Sequence, residues 1–154
     1  MRNASTWWTG ISVMAVATAL LAAPAFAQDA GELKVSRGVV HIERSGQRLP
    51  APAGMRVRQS DVVVTGADGS AGITFADASR LSVGPNSRLA IDKFAFDSTT
   101  HQGAFETSLE KGTLAAVSGN IVKQSPGAMK VRTPAAVLGV RGTEFVVRTG
   151  DGTN

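Results

Sequence analysis

Apolar residues in this chain come in short runs that alternate with polar ones, and turn-forming clusters set the runs apart. Between Ile73 and Ile91 the alternation becomes a repeat. Ile73-x-Phe75, Leu81-x-Val83 and Leu89-x-Ile91 recur at a spacing of eight at both apolar positions, and Ser79-Arg80 aligns with Ser87-Arg88 one repeat later. A period of two puts both apolar side chains of a unit on one face of a strand. The Ala, Asp, Gly, Pro, Asn and Ser between units favour turns. No unit can bury its apolar pair alone, whereas units stacked or paired with neighbours build a continuous core. These six side chains are therefore expected inside. The expected fold class is all-β, a short β-helix or solenoid-like stack of small strands. An antiparallel meander closing into a β-sandwich is the alternative, because short turns give the same period.

The same reading extends along the chain. Residues 33–36 and 39–43 read as strands split by Arg37-Gly38, and 61–65 as another, ending in the turn 66–70. Residues 49–54 carry two prolines and read as an extended connector. Residues 92–97 continue the repeat with Phe94 and Phe96 on one face. Residues 104–109 and 113–117 read as a hairpin around Glu110-Lys111-Gly112, and 118–128 as a pair of turns. The helix signal is weak throughout, since no window after residue 27 sustains a 3.6-residue period between caps.

The run 131–147, VRTPAAVLGVRGTEFVV, stands apart. Val, Thr and Phe suit a half-buried pleated surface, and Pro134 can open a strand without breaking a ladder bond. Two runs, 136–140 and 143–147, are hinged by Arg141-Gly142. Gly139 predicts a bulge or close backbone approach, and Gly142 a positive φ or a position without room for a side chain. Arg141, set between apolar runs, must reach solvent or acceptors. It is expected to be structural, capped by carbonyl oxygens or by a carboxylate such as Asp92. After it, 149–154 look like a hairpin turn without a return strand, which predicts either a last strand on a sheet edge or a domain shortened at its C-terminus.

The first 27 residues read differently. Arg2 supplies a positive start, 7–23 are apolar, and Ala25-Phe26-Ala27 forms a small-x-small site. This is the pattern of a cleavable signal peptide, with the cut between Ala27 and Gln28 and a mature domain of 28–154. The expectation is a periplasmic protein with no membrane span after cleavage. There is no cysteine, so neither a lipidated N-terminal cysteine nor a disulfide is available.

Composition narrows the chemistry. The chain's 16 Lys and Arg face 12 Asp and Glu, and loss of Arg2 leaves a net charge near +3. Both tryptophans, Trp7 and Trp8, leave with the export segment, and there is no tyrosine. A small charge, no aromatic stacking platform and export argue against nucleic acid. Lys123, Lys130, Arg132, Arg141 and Arg148 gather late and could meet a cell-wall glycan or another anionic polymer, although a solvated face explains them as well. Sugar-stacking Trp or Tyr is missing. No nucleophile elbow, zinc-protease motif or phosphate loop is present. His41 and His101 lie far apart, and a shared metal site is not expected. Asp92 and Asp97 are expected to pair with Lys93, Arg80 or Arg88 rather than act as paired acids. The Asp68-Gly69-Ser70 and Asp151-Gly152-Thr153 stretches lack full calcium-loop spacing and read as turns. No enzyme, cofactor or metal is expected.

Three stretches together carry a family resemblance: GVVHIERSGQ, the repeat region from Asp61 to Asp97, and above all VRTPAAVLGVRGTEFVV. In these the chain resembles the FecR domain family from about Leu33 to Arg148, with Thr133, Pro134, Gly139, Arg141, Gly142, Thr143 and Phe145 as the matching motif positions. The resemblance implies an all-β extracytoplasmic domain similar to a short β-helix-like stack. The family's named regulators relay a signal from an outer-membrane iron-siderophore receptor to a cytoplasmic sigma factor. Those regulators carry a cytoplasmic anti-sigma region and a membrane helix where this chain has an export signal, and a receptor-contacting C-terminal part beyond it. The expected function is therefore narrower: contact with another, unidentified envelope protein, in sensing or signal relay, by strand addition at an exposed end or edge, with a binding module for peptidoglycan or another anionic envelope polymer as the alternative. The motif residues are then either structural or partner-facing.

Overall fold

The computed structural model describes residues 28–150. The strands are β1 (Asp29–Arg37), β2 (Val40–Arg44), β3 (Gln47–Pro50), β4 (Arg56–Arg58), β5 (Val62–Thr65) and β6 (Ser70–Phe75). They continue as β7 (Arg80–Val83), β8 (Arg88–Phe96) and β9 (Gly103–Val117). A short helix, α1 (Asn120–Gln124), precedes β10 (Met129–Arg132), β11 (Val137–Val140) and β12 (Glu144–Thr149). The expected export segment 1–27 lies outside the described residues, as do 151–154.

The alternation decides which side chains enter the core. Ile73, Phe75, Leu81, Val83, Leu89 and Ile91 are all at most 3% exposed. The all-β class expected from the pattern is the one observed, as a curled sheet forming a half-barrel. Its hydrogen-bonded path runs β3-β2-β5-β8-β9-β7-β6-β1-β4. The piling of units is antiparallel: Ile73 faces Leu81 across β6 and β7. Leu89 passes instead to the other half, between Val63 of β5 and Leu109 of β9. In a coil of stacked rungs, all three units would share one parallel ladder. Here the short turns between units reverse the chain, and antiparallel pairing follows.

The strand joining the two halves is β9. Its residues 103–111 pair with β8, and its residues 105–108 also pair with β10, in parallel. Residues 114–117 pair with β7, and 112–117 with β12. The hairpin expected around Glu110-Lys111-Gly112 is therefore absent, and the two runs form one continuous strand. Gly112 takes φ 95° within the strand, and the chain is not reversed there. Each run finds better partners elsewhere, so local turn propensity loses to tertiary pairing.

Phe75, Phe94 and Phe105 meet between the halves, with ring centroids 4.5–5.4 Å apart. Phe105 is fully buried, and hiding a ring of that size stabilises by about 2–3 kcal/mol. Residues 118–128 hold α1, whose Ile121 and Val122 are buried. With five residues it is too short to show a helical period, so the pattern of 118–128 reads as turns. The connector at 49–54 starts within an edge strand: β3 ends on Pro50, where a missing N–H is harmless.

Candidate functional site

The motif run forms a hairpin and a corner that pass from one half of the sheet to the other. Thr133 N–H donates to Ala136 O at 2.8 Å, and the Thr133 hydroxyl accepts from Ala136 N–H at 3.0 Å. Pro134 thus sits in the tight turn joining β10 to β11, where its fixed φ fits. The strand β11 pairs with β10 from Met129↔Val140 to Arg132↔Val137. The chain then turns at Arg141–Thr143 and enters β12, which pairs with β9. Consecutive strands β11 and β12 therefore belong to different halves of the sheet. Leu138, Val140, Phe145 and Val147 line an open cleft between them.

Ser118, which the sequence did not single out, pins the corner. It is buried, its hydroxyl donates to Gly142 O at 2.8 Å, and its N–H donates to Thr143 O at 2.8 Å. Phe145 is half-buried against the core. Arg141, Gly142, Gly139 and residues 134–138 are exposed. Among the described residues Arg141 makes no hydrogen bond or ion pair, so the expected carbonyl or Asp92 cap is not found. The Asp92 carboxylate instead accepts from the Ser108 hydroxyl. An exposed corner lets the guanidinium keep its water, so no protein acceptor is needed. The expectations for the two glycines also fail. A Cβ on Gly139 or Gly142 would meet nothing within 4 Å, and neither has a positive φ. Val137, Leu138 and Val146 are 63%, 41% and 66% exposed, and Leu138 and Val146 line the cleft at the corner.

The repeat serines have a physical role the sequence only hinted at. Ser79 and Ser87 are fully buried. The Ser79 hydroxyl donates to Asp77 and accepts from Gly119 N–H at 2.9 Å. The Ser87 hydroxyl donates to Pro85 O and accepts from Thr113 N–H at 3.0 Å. The residue before each, Ala78 and Asn86, has a positive φ. The repeat is thus a register device: each unit offers a hydroxyl to the second half of β9 or to the turn after it.

The ionisable groups serve the sheet. Asp61 is 1% exposed and accepts from Arg44 Nε at 2.8 Å, from a second Arg44 nitrogen at 2.7 Å and from Arg58 N–H at 2.8 Å. Arg88 bridges Glu43 and Glu110 at 2.7 Å each, which holds the Glu43 carboxyl below its ordinary pKa. Asp97 is lowered as well, by the N–H groups of Thr99 and Thr100. The expected pairing of Asp92 and Asp97 with Lys93, Arg80 or Arg88 is thereby corrected: one takes a hydroxyl, the other a turn backbone. His41 lies on β2 beside Glu43 at 3.7 Å, and His101 stacks on Phe96 in a turn. Lys123 is on α1, Lys130 and Arg132 on β10, Arg141 at the corner and Arg148 on β12. Arg132 is neutralised by Glu106 at 2.7 Å.

No curated protein and no solved structure matches this chain. A family model described as FecR protein matches residues 61–154, from the buried Asp61 through the repeat, β9 and the corner. The strands β1 to β4 precede that match yet pair into it, β2 with β5 and β1 with β6. With well over half its length matched, the chain belongs to the FecR family.

Proposed function

We propose that this protein is an exported, non-enzymatic FecR domain that works by contact with another protein of the cell envelope, in sensing or signal relay. The FecR family is one of envelope-associated signalling regulators, and no helix among the described residues is long and apolar enough to cross a membrane. The observation that carries the reading is the contrast within the matched part. The repeat is buried and hydrogen-bonded, while the motif from Pro134 to Leu138, with Gly139, Arg141 and Gly142, is exposed and lies around open space. Residues that the fold does not consume are available to a partner.

The mode that fits is strand addition to the free edge of β11. Among the described residues β11 pairs only with β10. Gly139 leaves room for a close backbone approach, and Leu138 offers an apolar anchor. Lys130, exposed opposite Gly139, and Arg141 favour an extended segment that carries an acidic group.

A photo-crosslinking side chain placed at Leu138 tests this, with the same group at Arg48 on the β3 edge as control. One envelope protein captured from Leu138 and not from Arg48, and lost on Gly139→Val, is the expected result. Equal capture from both edges, or none from Leu138, refutes it.

A further inference from the structure

The strand β12 has a second use, independent of the β11 reading. Among the described residues it pairs only with β9, so its outer edge is open. The direction of its backbone groups follows from one bond. Ser118 N–H donates to Thr143 O, so Thr143 faces β9. In an antiparallel ladder every second residue faces the same neighbour. Phe145 and Val147 therefore also turn their N–H and C=O to β9, whereas Glu144, Val146 and Arg148 present theirs to the open edge. These same residues are exposed, and Val146, a β-branched side chain at 66% exposure, lies at their centre.

We infer that β12 pairs antiparallel with β12 of a second copy of this chain, about a two-fold axis through Val146. The register is self-complementary. It sets Val146 against its own copy and each Glu144 against Arg148 of the other chain, so an apolar contact is flanked by opposite charges on both sides. On the inner face the half-buried Phe145 meets the buried Val147. A two-fold centred on Phe145 or Val147 also aligns the backbone groups, but neither brings Glu144 opposite Arg148. Charge complementarity thus selects both the occupant and the register. An isologous contact of this kind closes on itself and covers an apolar edge strand that would otherwise invite open-ended pairing.

The chain has no cysteine, so an introduced thiol reports this contact cleanly. Under mild oxidation Val146→Cys should give a covalent dimer, because directly facing residues stand about 5.5 Å apart at Cα, within disulfide reach. Glu144→Cys should not, since its copies are separated by roughly 13 Å along the strands, but mixing it with Arg148→Cys should restore the crosslink. Sedimentation of the unmodified protein should show a dimer at micromolar concentration. Glu144→Arg or Arg148→Glu should each weaken it at least about tenfold, the scale of turning a favourable facing pair into a like-charge one, and the double reversal should restore it. Circular dichroism confirms the fold of each variant, all of them at exposed positions. A monomer throughout, crosslinking of Glu144→Cys as strong as that of Val146→Cys, or a double reversal that stays monomeric overturns the proposal. Loss of a heterologous partner at β11 leaves it untouched, so the two readings fail separately.

Discussion

Replacing Gly112 by alanine strikes the point where the two halves of the sheet are joined. Gly112 has φ 95°, a conformation that costs an L-residue about 1–2 kcal/mol. A Cβ there would lie on the Ser87 hydroxyl, 2.5 Å from Ser87 Cβ and 2.6 Å from its Cα, where normal contact needs about 3.5–4 Å. Ser87 cannot retreat cheaply, because its N–H donates to Thr65 Oγ1 and its hydroxyl is held by Pro85 O and Thr113 N–H. Overpacking of that kind adds about 1–3 kcal/mol. The expected loss is about 3–4 kcal/mol, a large share of the 5–15 kcal/mol typical of a domain. With a urea m-value of about 2 kcal/mol/M, the unfolding midpoint should fall by about 1.5–2 M. Gly54→Ala is the matched control: φ is 92°, but its Cβ would meet nothing within 4 Å. It should lose only the strain, about 1 kcal/mol. Ser87→Ala in the Gly112→Ala background should not rescue stability, since Cβ and Cα remain in the way. Equal midpoints for the Gly112 and Gly54 variants would show that the packing against Ser87 is not what holds β9 in place.

Three further outcomes follow from the ion pairs. Asp61→Ala leaves the Arg44 guanidinium with only its bond to Arg56 O and the Arg58 N–H without its acceptor. Because the Arg44 side chain is about a quarter exposed, the loss should be about 2–3 kcal/mol rather than the full cost of a broken buried pair. Asp29→Ala, which breaks an exposed bridge to Arg58, should cost less than about 1 kcal/mol by the same urea titration. The Glu43 carboxyl, held low by Arg88, stabilises the fold above the ordinary glutamate pKa and ceases to do so as pH falls through its lowered one. Melting temperature in the wild type should therefore drop more steeply across that acidic window than in Glu43→Gln, and parallel profiles would refute the linkage.

Short alternating runs were enough to decide which side chains go inside. Ile73, Phe75, Leu81, Val83, Leu89 and Ile91 are buried because a period of two assigns each residue to one face whatever its strand pairs with. The all-β class follows from the same local fact, and so does the corner at Arg141-Gly142 between two β runs. Partner choice is not local. That 103–117 is one strand serving both halves, that Leu89 leaves the ladder of Ile73 and Leu81, and that Asp61 meets Arg44 all depend on long-range pairing. The same holds for the candidate site. The sequence marks Gly139, Arg141 and Gly142 as unusual, and only the assembled sheet leaves them in the open, with β11 and β12 as edges among the described residues. An edge is defined by the absence of a neighbour, which no residue records about itself.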